Sequence, residues 1–447
     1  MNGQSPAGSR PNVVVLVSHD MGQHVGCYGV PTVQTPHIDR LAAEGARFAR
    51  SFCCAPQCSP SRAGLFTGRY PHSNGMMGLA HGRFAWDLHP GERHLAGRLR
   101  QAGYHTALLG HQHETRRPSE MGFDIVSIQR SRAADMAESA AEFLRTQAGA
   151  GRPFYLQLGC MEPHRLPGGF GCAPDEALGV TVPPFLVDEP SAREEFAGYQ
   201  GAIRAVDQAV GRTVEAMERA GLAENTIFLL TTDHGMPFPR AKCSLYEPGL
   251  QVCLILSHPA GLWGPGRVCQ EMISNIDCLP TLLELLDVPA PQAQSAGIQG
   301  RSFAALLRGQ AYQPRREVFA EMTYHQYYDP MRCVRTQTHK LIVHFSMAPS
   351  FMDPSQTWRP RTITRTPPDP AGAYHEPVEL YDLAADPWET RNLARESGSA
   401  KLCRGLLARV HEWMVQTGDP LLEGIPPSPS HRAAIKALTQ GDLDWPG

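Results

Sequence analysis

Residues Val13-Val14-Val15-Leu16-Val17 run without a polar interruption and stop at Ser18-His19-Asp20. A strand with one wet face alternates polar and apolar side chains, so an unbroken run predicts a parallel strand covered by helices on both faces. The run is far short of the roughly 20 apolar residues that span a bilayer. Comparable strand candidates are Tyr104–Leu109, Phe154–Leu158, Ile227–Thr232 and Val252–Leu256. Helical spacing fills Ala134–Gln147 and Glu194–Ala220 between them, and Ile276–Leu286 predicts another helix. Thr35-Pro36-His37-Ile38-Asp39-Arg40-Leu41 opens a helix, with Thr35 placed to cap it and Pro36 in its first turn. Alternation of this kind predicts an α/β fold, a mainly parallel sheet sandwiched by helices.

The last third reads differently. Glu317–Met322, Met331–Thr336 and Lys340–Phe345 stand at hairpin spacing and predict a small antiparallel sheet. Phe351–Tyr374, rich in Pro, Arg and Thr, reads as a long loop, and Leu402–Val415 as a last helix. The chain of 447 residues therefore divides into a catalytic-sized domain, 11–312, and a smaller α+β domain, 313–447. A formal charge of −3 offers no field to hold nucleic acid or an anionic membrane. Of 41 basic residues only four are Lys, and the arginines are scattered rather than clustered. Met1–Pro11 lacks the basic and apolar segments of a secretory leader, so a cytoplasmic protein is expected, with its 12 cysteines reduced. No paired CxxC spacing suggests a zinc ribbon.

The chemistry concentrates around Cys58-Ser59-Pro60-Ser61-Arg62. Pro60 is tolerated in a first helical turn, so Cys58 falls at a helix mouth where free backbone N–H groups face any anion. Arg62 follows one turn later and can direct its donors at the same group. With Ala63-Gly64-Leu65-Phe66-Thr67-Gly68-Arg69 downstream, the run resembles the sulfatase signature Cys-x-Pro-x-Arg. The likeness covers nearly the whole chain. Asp20-Met21-Gly22 resembles the family's first metal loop, and Thr231-Thr232-Asp233-His234-Gly235 resembles the second. Glu379-Leu380-Tyr381-Asp382-Leu383 resembles the C-terminal family motif. Met161-Glu162-Pro163-His164-Arg165 and Pro237-Phe238-Pro239 are most similar to heparan N-sulfatases and their bacterial relatives.

The resemblance implies an alkaline-phosphatase-like fold that hydrolyses a sulfate ester or a sulfamate. It makes Cys58 the precursor of formylglycine, the nucleophile and a metal ligand. It places Arg62 on the modified side chain, Lys242 on a sulfate oxygen, and Asp20 and Asp233 on one divalent metal. His113 and His164 match histidines that handle the hydrate proton and the leaving group. The implied partners are a small anionic sulfated substrate, sugars included, and a formylglycine-generating enzyme during maturation, with a homo-oligomer left open.

Three departures alter the expectation. His19 replaces an acid beside Asp20, His234 replaces an Asn beside Asp233, and His111 stands where the family has a Lys. Calcium, the family's usual metal, prefers oxygen, whereas two imidazoles with two carboxylates suit Mn, Zn or Fe. Phosphodiester and phosphonate monoester hydrolases of the same superfamily also carry Asp-His in the second loop, and form the alternative reading. A non-catalytic sulfatase-fold binding protein is the rival from another class. His37, His72, His105 and His344 receive no role, and Met76-Met77, Trp86 and Trp358 are assigned to packing.

Overall fold

A computed structural model describes residues 10–258, 263–289, 297–350 and 374–441. Eight strands form one sheet in the order β4-β3-β5-β1-β6-β7-β2-β8. They are β1 (Asn12–Ser18), β2 (Ala46–Phe52), β3 (His105–Gly110), β4 (Ile125–Ser127), β5 (Phe154–Gly159), β6 (Thr226–Thr232), β7 (Leu254–Ser257) and β8 (Arg267–Ser274). β1 lies at the centre, paired in parallel with β5 and β6, and all seven of its residues are buried. Its side chains divide between two cores. Val14 and Leu16 pack toward the helices Ala133–Gln147 and Pro190–Arg219, while Val13, Val15 and Val17 pack with Leu279, Leu282 and Leu283 on the other face. This is the covered strand that the apolar run predicts.

β7 departs from expectation, because it runs antiparallel to both β6 and β2. An apolar run specifies burial on both faces but not direction. β2 and β8 carry interleaved polar residues and give no such run, although they pair in parallel at the sheet edge.

The second sheet is antiparallel, in the order β12-β11-β10-β9, built from β9 (Glu317–Tyr324), β10 (Tyr328–Thr336), β11 (His339–His344) and β12 (Val378–Asp382). The helix Ala400–Thr417 packs on it through Leu406, Val410 and Trp413. A further helix, Pro429–Gln440, follows where none is expected, because its buried face is weak and none of its residues is fully buried. The Phe351–Tyr374 loop lies outside the described residues except for Tyr374, and Trp358 lies outside them too.

Two local expectations are corrected or met. Thr35 does not cap the helix α1 (Pro36–Glu44) with its side chain. Its hydroxyl instead accepts from Gly26 N at 2.9 Å and donates to Asp39 Oδ1 at 3.1 Å, tying the preceding turn to the helix. Trp86 is buried with Met76 and Met77 in a small apolar cluster, as packing predicts. None of the 12 cysteines is in a disulfide. No helix among the described residues is long and apolar enough to cross a membrane.

Candidate active site

Four neighbouring strands, β3-β5-β1-β6, deliver side chains from their carboxyl ends to one place. Open α/β sheets bind ligands at this end. β1 and β6 are in register, Ser18 opposite Thr232, so His19-Asp20 and Asp233-His234 emerge side by side. β3 ends at Gly110 and leads into His111 and His113, and β5 ends at Gly159 just ahead of His164. A Cβ on Gly159 would come within 1.9 Å of the His111 carbonyl oxygen, so only glycine lets the two strand ends run this close.

Across the sheet end, the helix α2 (Cys58–Thr67) begins at Cys58 itself, as the motif predicts. Asp20 holds a left-handed backbone, φ 52°, tolerated by Asp more readily than by most side chains. Its N–H donates to Asp233 Oδ1 at 2.8 Å, and Tyr199 Oη donates to the Asp20 carbonyl at 2.8 Å.

The ligand atoms of His19, Asp20, Cys58, Asp233 and His234 lie within 4.8 Å of one another, and all five residues are buried. His19 Nδ1 is 2.6 Å from Asp20 Oδ1 and 3.4 Å from Asp233 Oδ2. His234 Nε2 is 3.0 Å from Asp20 Oδ1 and 3.5 Å from Cys58 Sγ. His234 Nδ1 donates to the Gly235 carbonyl at 2.9 Å, which in the neutral ring leaves the Nε2 lone pair facing the cluster. Two carboxylates, two oriented imidazoles and a sulfur fit a divalent cation.

The electrostatics reflect the same convergence. Burial opposes charge on His19, but Asp233 and Asp20 overcome it and raise its pKa to about 9. Burial is likewise outweighed at His234, which Asp233 and Asp20 raise to about 10. In the metal-free protein, protons on these two rings supply the positive charge that the carboxylates demand. Burial disfavours the Cys58 thiolate, yet Lys242 and His19 hold the thiol well below its ordinary range.

Lys242 donates to both oxygens of Asp20, at 3.0 and 2.8 Å. Arg62 Nε donates to Asp233 Oδ2 at 3.0 Å and Nη2 to the Ser18 carbonyl at 3.3 Å. Arg62 therefore braces a strand-end carboxylate, a partner that the motif spacing does not reveal. Its charge still faces the same cluster.

His164 stands edge-to-face with His19 at 4.4 Å between ring centroids. Its Nε2 is 4.0 Å from Asp20 Oδ2. Burial and the neighbouring Lys242 push His164 down to about 3. Burial, with Arg62 adding to it, also drives His111 well below the ordinary imidazole value. His111 lies 5.1 Å from His19 and 5.5 Å from His113, completing a histidine wall.

Cys58, Asp20, His113, His164 and Lys242 line a pocket of about 120 Å³ together with Arg165, Leu79, Pro237, His325 and Gln326. His325 and Gln326 are the residues that sequence reasoning misses. They sit in the turn between β9 and β10, from the second sheet, and no local motif marks them.

A mainly parallel sheet with an acid- and histidine-rich cluster at its carboxyl end, opposite a helix-mouth cysteine, defines the alkaline-phosphatase-like hydrolase class. Within that class the chain belongs to the sulfatase family, whose family model matches residues 11–288. A second model, for the C-terminal part of N-sulphoglucosamine sulphohydrolase, matches residues 237–354. The chain is 29% identical to the N-sulphoglucosamine sulphohydrolase of Homo sapiens, over 92% of this chain and 91% of that one. A solved complex of a protein with its substrate D-glucosamine-2-N,6-O-disulfate superposes with a TM-score of 0.69 at 20% identity, covering 92% and 99% of the two chains. The phosphonate monoester hydrolase of Agrobacterium radiobacter superposes at 0.66 and 18% identity, covering 91% and 96%.

Proposed function

We propose that this sulfatase-family chain removes sulfonate from a sulfated sugar, an N-sulfonate (sulfamate) in preference to an O-sulfate, with Cys58 as the position of the nucleophile. The observation that carries the reading is the meeting of Cys58 with Asp20, Asp233, His19 and His234 beyond the ends of the adjacent strands β1 and β6. The N-sulfonate preference is supported by the second family match, whose residues 237–354 include the pocket residues Lys242, His325 and Gln326.

Converted to formylglycine, Cys58 would present a hydrated aldehyde as the oxygen nucleophile. Asp20, Asp233, His19 and His234 would hold one divalent metal, which supplies Lewis-acid stabilisation of the anionic group. The two imidazoles favour Mn, Zn or Fe over calcium.

The pocket residues supply the rest. Lys242, locked against Asp20, offers positive charge to the sulfonate oxygens, and Arg165, paired with Glu195, lines the same wall. His164 faces the pocket beside Lys242 and is neutral before substrate arrives. An incoming sulfonate adds the negative charge that favours its protonated form, making it the donor to the departing nitrogen or oxygen. His113 lines the same pocket as Cys58 and is placed to take the proton from the nucleophile position. His111 contributes a neutral ring to the wall beside it. We also place the boundary between the two domains near residue 312, supported by the change from the large sheet, ending with β8, to the small one beginning at Glu317.

The test is a metal-replete turnover panel of glucosamine N-sulfate, an aryl sulfate, an aryl phosphodiester and a phosphonate monoester. Highest kcat/KM on the N-sulfate supports the proposal. Preference for a phosphorus ester assigns the chain to the alternative chemistry that His234 suggests, and binding without turnover assigns it to a non-catalytic role.

A further inference from the structure

A second cavity, of about 300 Å³, lies away from the Cys58 pocket and shares no lining residue with it. Pro183, Phe185, Met236, Pro248 and Trp388 give it an apolar and aromatic wall. Among the described residues, no side chain lining it is charged at neutral pH, unlike the Cys58 pocket with Lys242 and Arg165. Its volume is that of a small-molecule site at the lower end of the usual range.

We infer that this cavity is a second ligand site, for an uncharged aromatic molecule bearing a hydroxyl that bonds to His24. His24 forms part of the wall, is 2% exposed, and has no hydrogen-bond partner for its buried Nε2 among the described residues. Buried polar nitrogens are seldom left so. The rings of Phe196 and Tyr199 pack against it at 5.4 Å, but the Tyr199 hydroxyl is committed to the Asp20 and Met21 carbonyls. Burial pushes His24 down to about 3, so its ring is neutral and offers one N–H and one lone pair. A hydroxyl can donate or accept, and so meets either.

The other polar side chains of the wall are each engaged within the protein. Tyr28 Oη accepts from Leu254 N at 2.9 Å, and Thr181 Oγ1 lies 2.8 Å from Thr32 Oγ1. Gln251 Nε2 donates to Glu247 Oε2 at 3.0 Å, and Gln23 Nε2 to the Val252 carbonyl at 3.1 Å. His24 remains to orient a ligand. A flat ring can pack on Phe185 and Trp388, whose centroids stand 5.9 Å apart. A sulfate or carboxylate would lose its hydration here with no cation to meet it, so the anionic substrates of the Cys58 pocket are excluded.

The cavity is built on the continuations of the two strand-end loops. Gln23 and His24 follow Asp20 by three and four residues, and Met236 follows His234 by two. Met236 lines this cavity, while the next residue, Pro237, lines the Cys58 pocket. A ligand here therefore stands apart from the substrate and does not compete with it. The site does not rest on the proposed activity.

The full chain, with Cys58 unmodified, should bind one equivalent of 2-naphthol at pH 7 by titration calorimetry, undisplaced by saturating inorganic sulfate. Naphthalene, which lacks the hydroxyl, should bind wild type about tenfold more weakly. That comparison needs no variant to fold. In His24→Phe, which keeps a ring and removes its nitrogens, the two ligands should bind alike, and Val30→Trp, which fills the cavity, should lose both. No binding of 2-naphthol to wild type at about 1 mM overturns the inference. Displacement by sulfate, an unchanged naphthol preference in folded His24→Phe, or undiminished binding in folded Val30→Trp overturns it equally.

Discussion

Metal affinity at the Cys58 cluster should depend on pH far above the range of an ordinary histidine. His19 and His234 are raised to about 9 and about 10 by the two carboxylates that a metal would share with them. A metal can take these imidazoles only by displacing their protons. Below pH 9 both rings are protonated in the metal-free protein, so binding releases two protons. Apparent affinity should then fall about a hundredfold per pH unit, or roughly 10⁴-fold between pH 9 and pH 7, about 5.5 kcal/mol. Rings of ordinary pKa, about 6.5, would leave affinity nearly flat over that interval. Cys58→Ala removes the thiol from the proton balance, and Mn²⁺ titration calorimetry in buffers of different ionisation enthalpy counts the protons released. Near two protons at pH 7.5 supports His19 and His234 as ligands, whereas near zero with flat affinity refutes the reasoning. The same shifts set the stability of the metal-free fold. Raised imidazoles stabilise it fully below about pH 6.5, and that contribution is lost as pH rises through 9 to 10. Urea midpoints should therefore fall across that window without metal.

Other substitutions separate the roles of the pocket residues. Arg62→Met should cost about 3–5 kcal/mol in urea unfolding of metal-free protein, because it strands the buried Asp233 carboxylate. A loss below 1 kcal/mol would show that His19 and His234 alone neutralise Asp233. His164→Ala should lower kcat about 10²–10⁴-fold on a sulfamate or alkyl sulfate and much less on an aryl sulfate, whose leaving group departs without a proton. Equal losses on both would remove His164 from leaving-group protonation. His325→Ala should raise KM for a sulfated sugar more than it lowers kcat, measured by steady-state sulfate release. An unchanged KM would place His325 outside the substrate contacts.

Much of the site is legible in the sequence because it is built at the ends of apolar strands. The run ending at Ser18 and the run ending at Thr232 mark β1 and β6, so the acid–imidazole pairs after them can be read as neighbours before any coordinates exist. Cys58 is legible for another reason, since Pro60 marks a first helical turn and the run through Arg69 resembles the sulfatase signature. What escapes is set by chain separation. His325 and Gln326 reach the pocket from a hairpin of the second sheet. Arg62 shows a subtler limit: its presence near Cys58 is readable, but its bond to Asp233 depends on how the helix is docked against the sheet. β7 marks the same limit for direction, as burial fixes its apolar character and leaves its antiparallel course open.

The central claim is that Cys58, once converted to formylglycine, is the nucleophile for sulfonate removal. Protein made with graded coexpression of a formylglycine-generating enzyme should be assayed for sulfate release from glucosamine N-sulfate, with the Cys58 peptide quantified by mass spectrometry in each sample. Turnover rising in proportion to the modified fraction, and lost by several orders of magnitude in Cys58→Ala, is the predicted result. Equal turnover from unmodified protein, or from Cys58→Ala within tenfold of wild type, would contradict it.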